Sequence, residues 1–179
     1  MEPGVVILVV IALILLLIII EFNTIKSLQN KVHQSRSGID VALTKRFDLI
    51  PNLVECVKGY CKHEEKVLLE VTKARADYLS GKKLEDGEIA NNKCHDVLLL
   101  AEKYPALKAS DQFIELQASL ERTENSLSAA RRLYNSDVTM YNTKIQTFPG
   151  NIVAGFMKAR EEKLFEAEIA AKSNVKVKI

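Results

Sequence analysis

The sequence predicts an all-α membrane protein, in which one N-terminal transmembrane helix precedes an antiparallel up-and-down helical bundle. Three observations lead to this prediction. Residues 5–20 form an unbroken run of 16 apolar side chains. Apolar residues then recur at intervals of three and four over most of the remaining chain, as on one face of a helix. Only 7 Gly and 4 Pro occur in 179 residues, which leaves little turn material for a many-stranded β fold.

Residues 1–21 are predicted to be the membrane anchor. The membrane-spanning side chains include Val5, Leu8, Ile11, Leu15 and Ile20. At ~1.5 Å per residue the apolar run spans roughly 24 Å, or roughly 27 Å with Pro3 and Gly4, close to the hydrocarbon thickness of a bilayer. A cleaved signal peptide would carry a basic first region and a small-residue cleavage site. Here Glu2 precedes the run and Glu21 follows it, so we expect the segment to be retained.

Charge and cysteine content indicate the side of the membrane. Three basic residues follow the apolar run within 16 positions, namely Lys26, Lys31 and Arg36, and none precedes it. The positive-inside rule then places the N-terminus outside and the folded part in the cytoplasm. Three cysteines without paired spacing, Cys56, Cys61 and Cys94, are typical of reduced, buried thiols, in agreement with that side.

Overall charge argues against a nucleic-acid partner. The chain carries 25 Lys and Arg against 23 Asp and Glu, a net charge of +2. A nucleic-acid binder concentrates basic residues and has a much higher pI. About 155 residues remain beyond the membrane segment, the usual size of one domain.

Residues 22–150 are predicted to form the bundle. A first apolar stripe runs from Phe22 to Ala42, and a second keeps a 3-4 spacing from Ile50 to Tyr78. Asp48 is a candidate cap for the second helix, with Pro51 in its first turn, where proline is tolerated. The layout is four long helices, or three if the first two continue through a kink at Pro51.

The second half of the bundle follows the same pattern. Residues 79–87 are predicted to be a loop, and a shorter helix over 88–103 presents Ile89, Val97, Leu100 and Ala101 to the core. Tyr104 and Pro105 end it. Ser110 or Asp111 caps the longest helix, whose stripe extends over 36 residues from Phe113 to Phe148. Residues 151–179 are predicted to be a short helix or loop and a polar tail.

Two long stretches carry a family resemblance. Residues 39–75 read IDVALTKRFDLIPNLVECVKGYCKHEEKVLLEVTKAR, and the second half contains AEKYPALKASDQFIELQASLERTENSLSAARRLYNSDVTMYNTKIQTFPGNIVAG and LFEAE. They resemble the LemA family of bacterial membrane proteins. The resemblance implies a helical bundle on a membrane stalk in the bacterial inner (cell) membrane, in a family with no agreed catalytic residues. Its magnetosome-associated relatives suggest, by analogy, a part in membrane organisation.

No catalytic, cofactor-binding or metal-binding site is predicted. The histidines His33, His63 and His95 lie about thirty residues apart, without the HExxH or CxxC spacing of a zinc site. Cys56 and Cys61 are about 140° apart around a helix. A Cys56 or Cys61 pair with His95 across helices stays open as a nucleophile. The row Glu115, Glu121 and Glu124 has no accompanying Glu-x-x-His, which favours a solvated face.

Two motifs are candidate interaction sites. In KRFDLIPNLV, the residues Arg46, Asp48, Pro51 and Asn52 flank a corner, where they either cap helices or dock a partner. The stretch YNTKIQTFPGNIVAGFMK combines aromatic and amide side chains, namely Tyr141, Asn142, Phe148, Pro149 and Phe156. This second motif is either a contact with a membrane surface or partner, or a plug at the end of the bundle.

The leading functional hypothesis is a membrane-anchored helical scaffold or protein-interaction module at the inner membrane, without catalytic activity. The near-3.5 periodicity permits coiled-coil packing between chains, so we expect a homo-oligomer. The other expected partners are the lipid bilayer and membrane proteins. The alternative is a membrane-linked sensor or regulator of envelope stress or signalling, in which the Pro51 corner transmits a change. An enzyme is the third hypothesis.

Overall fold

The structure, a computed structural model, describes residues 2–61, 63–81 and 83–165. This part of the chain contains seven α-helices and no strand, which confirms the all-α prediction. The helices are α1 (Pro3–Phe47), α2 (Ile50–Lys58), α3 (Glu65–Gly81), α4 (Leu84–Ala101), α5 (Pro105–Lys108), α6 (Asp111–Gln146) and α7 (Gly150–Met157). The predicted polar tail and the end of the LFEAE stretch lie outside the described residues.

The chain divides into two compact units. Unit 1 is formed by Met1–Arg36 and Arg131–Ile179, and unit 2 by Ser37–Ala130. The long helices α1 and α6 therefore each contribute residues to both. The predicted division into an anchor (1–21), a bundle (22–150) and a C-terminal segment (151–179) stays a prediction.

Unit 1 packs the predicted stripes of α1 and α6 with one face of α7. Its buried side chains are Ile25, Val32, Ser35, Tyr134, Asp137, Val138, Tyr141, Ile145, Val153 and Ala154. The polar Ser35 is satisfied within its own helix, because its hydroxyl donates to the carbonyl oxygens of Lys31 at 3.0 Å and Val32 at 3.1 Å. Phe22 and Phe148, at the ends of the two stripes, are exposed instead.

Unit 2 is built on the hairpin of α3 and α4, with Tyr78 in its core. The Tyr78 ring meets Phe47 edge-on, with ring centroids 5.1 Å apart, and its hydroxyl lies 3.2 Å from Oδ1 of Asp40. Gly87 of α4 allows this packing, since a Cβ there would lie 2.7 Å from Cδ1 of Leu43 and 3.2 Å from the Tyr78 ring. A small residue at Gly87 thus lets the backbone of α4 approach the core.

The prediction of one uninterrupted helix from Ile50 to Tyr78 is wrong. α2 ends at Lys58 and α3 begins at Glu65. The break removes Tyr60 from the stripe, so that Tyr60 is 44% exposed while Cys61 is buried. Pro51 lies in the first turn of α2, as predicted, but Leu49 is the residue at the N-cap and no side chain caps it. Asp48 is therefore not the cap.

The predicted loop over residues 79–87 is also wrong. α3 continues to Gly81 and α4 begins at Leu84, where Glu85 and Asp86 place negative charge in the first turn and complement the helix dipole. The core face of α4 consists of Gly87, Ala90, Cys94, Val97, Leu100 and Ala101. Val97, Leu100 and Ala101 are buried as predicted, but Ile89, also expected in the core, is 54% exposed, because Gly87 and Ala90 face the core in the first half of α4.

The prediction for the longest helix is confirmed. α6 comprises 36 residues, Asp111–Gln146. Its N-cap is Ser110, whose Oγ accepts a hydrogen bond from the backbone N–H of Phe113 at 3.3 Å. The helix ends before Phe148, Pro149 and Gly150, where α7 begins.

Candidate membrane-proximal site

The first part of α1 is an exposed apolar helix. Every large side chain from Val5 to Ile20 is exposed, by 45% at Val6 to 69% at Leu8. Within the described part of the chain, this is the one helix long and apolar enough to cross a membrane, judged by length and composition. The five side chains predicted to span the membrane all belong to this surface.

An ion pair ties the end of α6 to the end of the apolar run. Glu21 directly follows Ile20, and its Oε2 lies 2.6 Å from Nζ of Lys144. Both side chains are mostly buried, at 14% and 27% exposure, so solvent screens the pair less than it would at an open surface. The last turn of α6 therefore lies beside the first residue after the apolar run.

Gly150 sets α7 directly against that last turn. A Cβ at Gly150 would come into hard contact with the carbonyl oxygen of Lys144, so only glycine permits this approach. One face of α7, with Val153 and Ala154, is buried. Glu21, Lys144 and Gly150 thus form a continuous series of contacts from the apolar run to the start of α7.

The opposite face of α7 is apolar and exposed. Three side chains spaced four residues apart make up this surface, which we name the apolar tip: Phe148, Ile152 and Phe156. Their exposures are 79%, 54% and 86%. Phe148 precedes the helix, whereas Ile152 and Phe156 occupy one face of it by the i, i+4 spacing. The fold leaves two phenyl rings almost fully in contact with solvent.

Two asparagines of α6 bind the backbone that follows α7, an arrangement that we name the asparagine clamp. Nδ2 of Asn142 donates to the carbonyl oxygen of Glu162 at 2.8 Å, and Oδ1 accepts from the Glu162 N–H at 2.9 Å. Asn135 makes the same pair of bonds with Phe165, at 3.0 and 2.7 Å. Both bonds in each pair use only main-chain groups of the bound segment.

Neighbouring side chains strengthen the clamp. The Tyr134 hydroxyl donates to the carbonyl oxygen of Lys163 at 3.0 Å, and the guanidinium of Arg131 lies 5.0 Å above the Phe165 ring, within range of a cation–π interaction. Burial raises the pKa of Tyr134 above its ordinary value. Residues 159–165 are thereby held along α6, running back from its C-terminal end.

The second predicted motif divides between core and surface. Tyr141 is 1% exposed, and burial raises the pKa of its hydroxyl, while Asn142 belongs to the clamp. Pro149 precedes α7 and is partly buried. Phe148 and Phe156 are the exposed members. Tyr141 and Asn142 thus form the interior part of the motif, and Phe148 and Phe156 its exposed part. Whether the motif is a plug or a contact surface stays a prediction.

A comparison with protein families decides the identity. The model of the LemA family matches residues 35–179. The chain belongs to the LemA family. It is 26% identical over 144 residues to Protein LemA of Metamycoplasma hominis, covering 78% of this chain and 66% of the relative.

The LemA-family chain is also similar to magnetosome proteins. It is 22% identical over 175 residues to magnetosome protein MamQ 2 of Paramagnetospirillum magneticum, covering 79% of this chain and 64% of the relative. It is 19% identical over 167 residues to magnetosome protein MamQ of Magnetospirillum gryphiswaldense, covering 76% and 61%. The chain thus spans slightly less than two thirds of the length of these relatives. The LemA match and the exposed apolar run of α1 indicate a membrane-associated helical protein.

In this LemA-family chain the first predicted motif contains a buried arginine that binds two residues of another helix. Arg46 is 4% exposed. Its Nη1 donates to the carbonyl oxygen of Leu120 at 2.7 Å and lies 3.2 Å from Oε2 of Glu124. Arg46 therefore joins α1 to α6 within unit 2, and Glu124 is its ion-pair partner rather than part of a solvated row. Glu115 and Glu121 are exposed.

The rest of that motif lies at the surface. Asp48, Pro51 and Asn52 are exposed. Nε of Arg75, on α3, donates to the carbonyl oxygen of Phe47 at 2.8 Å, at the end of α1, and its Nη2 lies 3.8 Å from Asp48. Arg75 thus satisfies a carbonyl oxygen that the helix end leaves free.

The cysteines of the LemA-family chain are free, buried thiols. Burial raises the pKa of Cys56, Cys61 and Cys94. At Cys94 the charge of Arg46 opposes this effect without cancelling it. His33, His63 and His95 are exposed. Within residues 2–61, 63–81 and 83–165, no three or more His, Cys, Asp or Glu side chains are grouped so that they could hold a metal ion.

The sequence analysis did not identify two parts of the membrane-proximal site of this LemA-family chain. They are Asn135 and the ion pair of Glu21 with Lys144. A signal for the first exists in the sequence. Asn135 and Asn142 lie seven residues apart, each directly after a stripe tyrosine. This spacing puts both amides on one side of α6. The ion pair has no comparable signal, because its members are 123 positions apart.

Proposed function

We propose that this LemA-family protein is a membrane-anchored helical scaffold or protein-interaction module at the bacterial inner membrane. One observation carries the proposal. The exposed apolar part of α1 continues without a break into the part that packs in unit 1. A bilayer that covers Val5 to Ile20 would therefore hold the helices of unit 1 directly at its surface. The similarity to magnetosome proteins supports a role beside a membrane.

The folded units are proposed to lie in the cytoplasm. Lys26, Lys31 and Arg36 are exposed on α1 shortly after the apolar run, as the positive-inside rule requires of the cytoplasmic side. Cysteine thiols are kept reduced in the cytoplasm, in agreement with the free cysteines of this chain. The test is labelling of Leu69→Cys, a site 70% exposed on α3, with a membrane-impermeant maleimide. We expect labelling in inverted membrane vesicles and none in intact cells, and the reverse would place the units outside.

The absence of catalytic activity belongs to the same proposal. A nucleophilic cysteine needs a thiolate, which a lowered pKa supplies. Burial instead raises the pKa of all three thiols. The test is a substrate and metal screen on the purified full chain, with Cys56→Ser and His95→Ala as variants. An activity that these substitutions abolish would overturn this part of the proposal.

Self-assembly and membrane-protein partners complete the proposal. The apolar stripes of α1 and α6 are buried within their own units, so coiled-coil contacts between chains would have to use other surfaces. Light scattering on the full chain in detergent, together with cross-linking in native membranes, tests self-assembly. We expect a dimer or higher oligomer in both, and a strict monomer in both would remove this element.

The sensor or regulator stays the alternative. The corner between α1 and α2 is joined to α3 by Arg75, so a movement of the corner would be passed to α3. Pro51→Ala tests this, with Pro105→Ala as the control, because both prolines stand in the first turn of a short helix. A signalling or stress phenotype specific to Pro51→Ala, at normal protein abundance, would favour the sensor.

A further inference from the structure

We propose that the apolar tip, formed by Phe148, Ile152 and Phe156, inserts into the headgroup layer of the bilayer that α1 crosses. Unit 1 then makes a second membrane contact besides its transmembrane helix. This inference rests on the proposed function, because it requires that Val5 to Ile20 span the membrane. It adds that α7 lies on the membrane surface and fixes the orientation of unit 1 relative to it.

The first argument is position. Glu21 follows the last apolar residue of the membrane run, and Lys144 binds it at 2.6 Å. α7 starts against the backbone of that same Lys144, in a contact so close that only glycine fits at Gly150. If the apolar run occupies the hydrocarbon core, Glu21 lies at the boundary with the headgroups. The start of α7 is therefore within a few side-chain lengths of that boundary.

The second argument is that the fold holds the apolar face outward. On one side of α7, Gly150, Val153 and Ala154 are buried in unit 1. After α7, the asparagine clamp binds the backbone of Glu162 and Phe165. The packed inner face and the bound segment after the helix hold α7 in this orientation, with its other face outward. Phe148 and Phe156 are 79% and 86% exposed, so this face is open to an external apolar surface.

The third argument is chemical. Aromatic and large aliphatic side chains on one face of a helix can be buried at the boundary between headgroups and acyl chains, with nearby basic residues attracted to anionic lipids. Lys158 and Arg160 follow α7 directly and are exposed, where they can meet anionic headgroups. Through the apolar run of α1, the chain itself brings a bilayer to this place. A second copy of the chain would need an additional association to reach the same face.

The experiment uses the absence of tryptophan from the chain. Phe156→Trp introduces a single fluorophore at the tip of the full-length protein, which is reconstituted in phosphatidylcholine and phosphatidylglycerol vesicles. The matched control is Leu133→Trp, 58% exposed on α6 of the same unit. It lies 11 residues before Lys144, about 16 Å along the helix and beyond the headgroup layer. Circular dichroism is used to check that both variants keep the helical fold.

We expect vesicles of acyl-chain-brominated lipid to quench most of the Phe156→Trp emission, and the emission to be shifted to the blue. Leu133→Trp should keep its intensity. Phe148→Trp is a second tip reporter, so that a local defect at one position cannot decide the result, and it should be quenched likewise.

Three outcomes would overturn the inference. If the protein floats with the vesicles but neither tip reporter is quenched, the tip does not touch lipid, and the anchored module survives. If the emission is shifted to the blue without quenching, a protein surface such as a second copy covers the tip. If the protein does not float with the vesicles at all, the anchor itself fails, and the proposed function fails with it.

Discussion

Substitution of Gly150 by alanine tests the contact that positions α7. The new methyl group would collide with the carbonyl oxygen of Lys144, a backbone atom that cannot move aside as a flexible side chain could. Gly155, on the same helix, is the matched control, since nothing lies within 4 Å of a Cβ there. Neither glycine has a positive φ, so backbone strain does not distinguish the two substitutions.

The two variants should differ in sign. Overpacking costs about 1–3 kcal/mol, and Gly150→Ala gains little helix propensity, because Gly150 is the first residue of α7. Gly155→Ala should stabilise α7 by about 0.4–1 kcal/mol, mainly by reducing the entropy of the unfolded chain. We therefore expect a difference in local stability of about 1.5–4 kcal/mol between the two variants.

The assay is hydrogen–deuterium exchange of residues 150–157 in the full chain, which reports the free energy of local opening. Gly150→Ala should accelerate exchange there by about 5- to 150-fold, the factor that corresponds to about 1–3 kcal/mol. Gly155→Ala should slow exchange a few fold. If both variants protect α7 equally, the close approach to Lys144 is not what holds the helix, and the reasoning about its position is refuted.

Three further predictions concern the buried Arg46, the core residue Tyr78 and the asparagine clamp. Arg46→Met should lower the free energy of unfolding by about 1.5–3 kcal/mol, because it removes a buried charged donor. Asp48→Asn, at an exposed position, should lower it by less than about 1 kcal/mol. Urea titrations that give equal losses for the two variants would contradict this prediction. Burial raises the pKa of Tyr78 to about 12. The neutral hydroxyl therefore contributes up to roughly 2.7 kcal/mol to stability below pH ~10, and this contribution is lost as the pH rises through 12. Tyr78→Phe should flatten the fall in unfolding free energy between pH 9 and 12, and an unchanged slope would count against this prediction. Asn142→Asp should speed tryptic cleavage of the segment that the asparagine clamp holds by about tenfold, because an amide donor is lost. Asn151→Asp, at an exposed position, should leave the cleavage rate unchanged. Equal cleavage rates for the two variants would show that the asparagine clamp does not hold the segment.

Sequence periodicity predicted the long helices well and their interruptions poorly. The stripe of α6 is buried from Phe113 to Ile145 except at Thr123 and Ala130, which are partly buried, and Ser110 caps the helix as expected. In contrast, the 3-4 spacing from Ile50 to Tyr78 continues in the sequence although the helix is interrupted between α2 and α3. A spacing records which residues would share a face if the helix continued, and it contains no information on whether tertiary contacts interrupt the helix.

The candidate site could be predicted in part. Phe148 and Phe156 were singled out by their aromatic character, and both belong to the apolar tip. Tyr141 and Asn142, in the same motif, belong to the core and the clamp. The sequence alone could not separate these roles, because the separation depends on the close contact of Gly150 with Lys144 and on the return of residues 159–165 along α6. Both are long-range contacts.

Retention of the full chain in the bilayer tests the central claim most directly. Vesicles that carry the protein are treated with alkaline carbonate and floated on a density gradient, with Leu8→Arg/Leu15→Arg as the comparison. Each arginine adds roughly 3 kcal/mol to the cost of placing the helix in the membrane. The account predicts that the wild-type chain floats with the lipid and that the double variant is released. A wild-type chain that stays with the soluble fraction would contradict it.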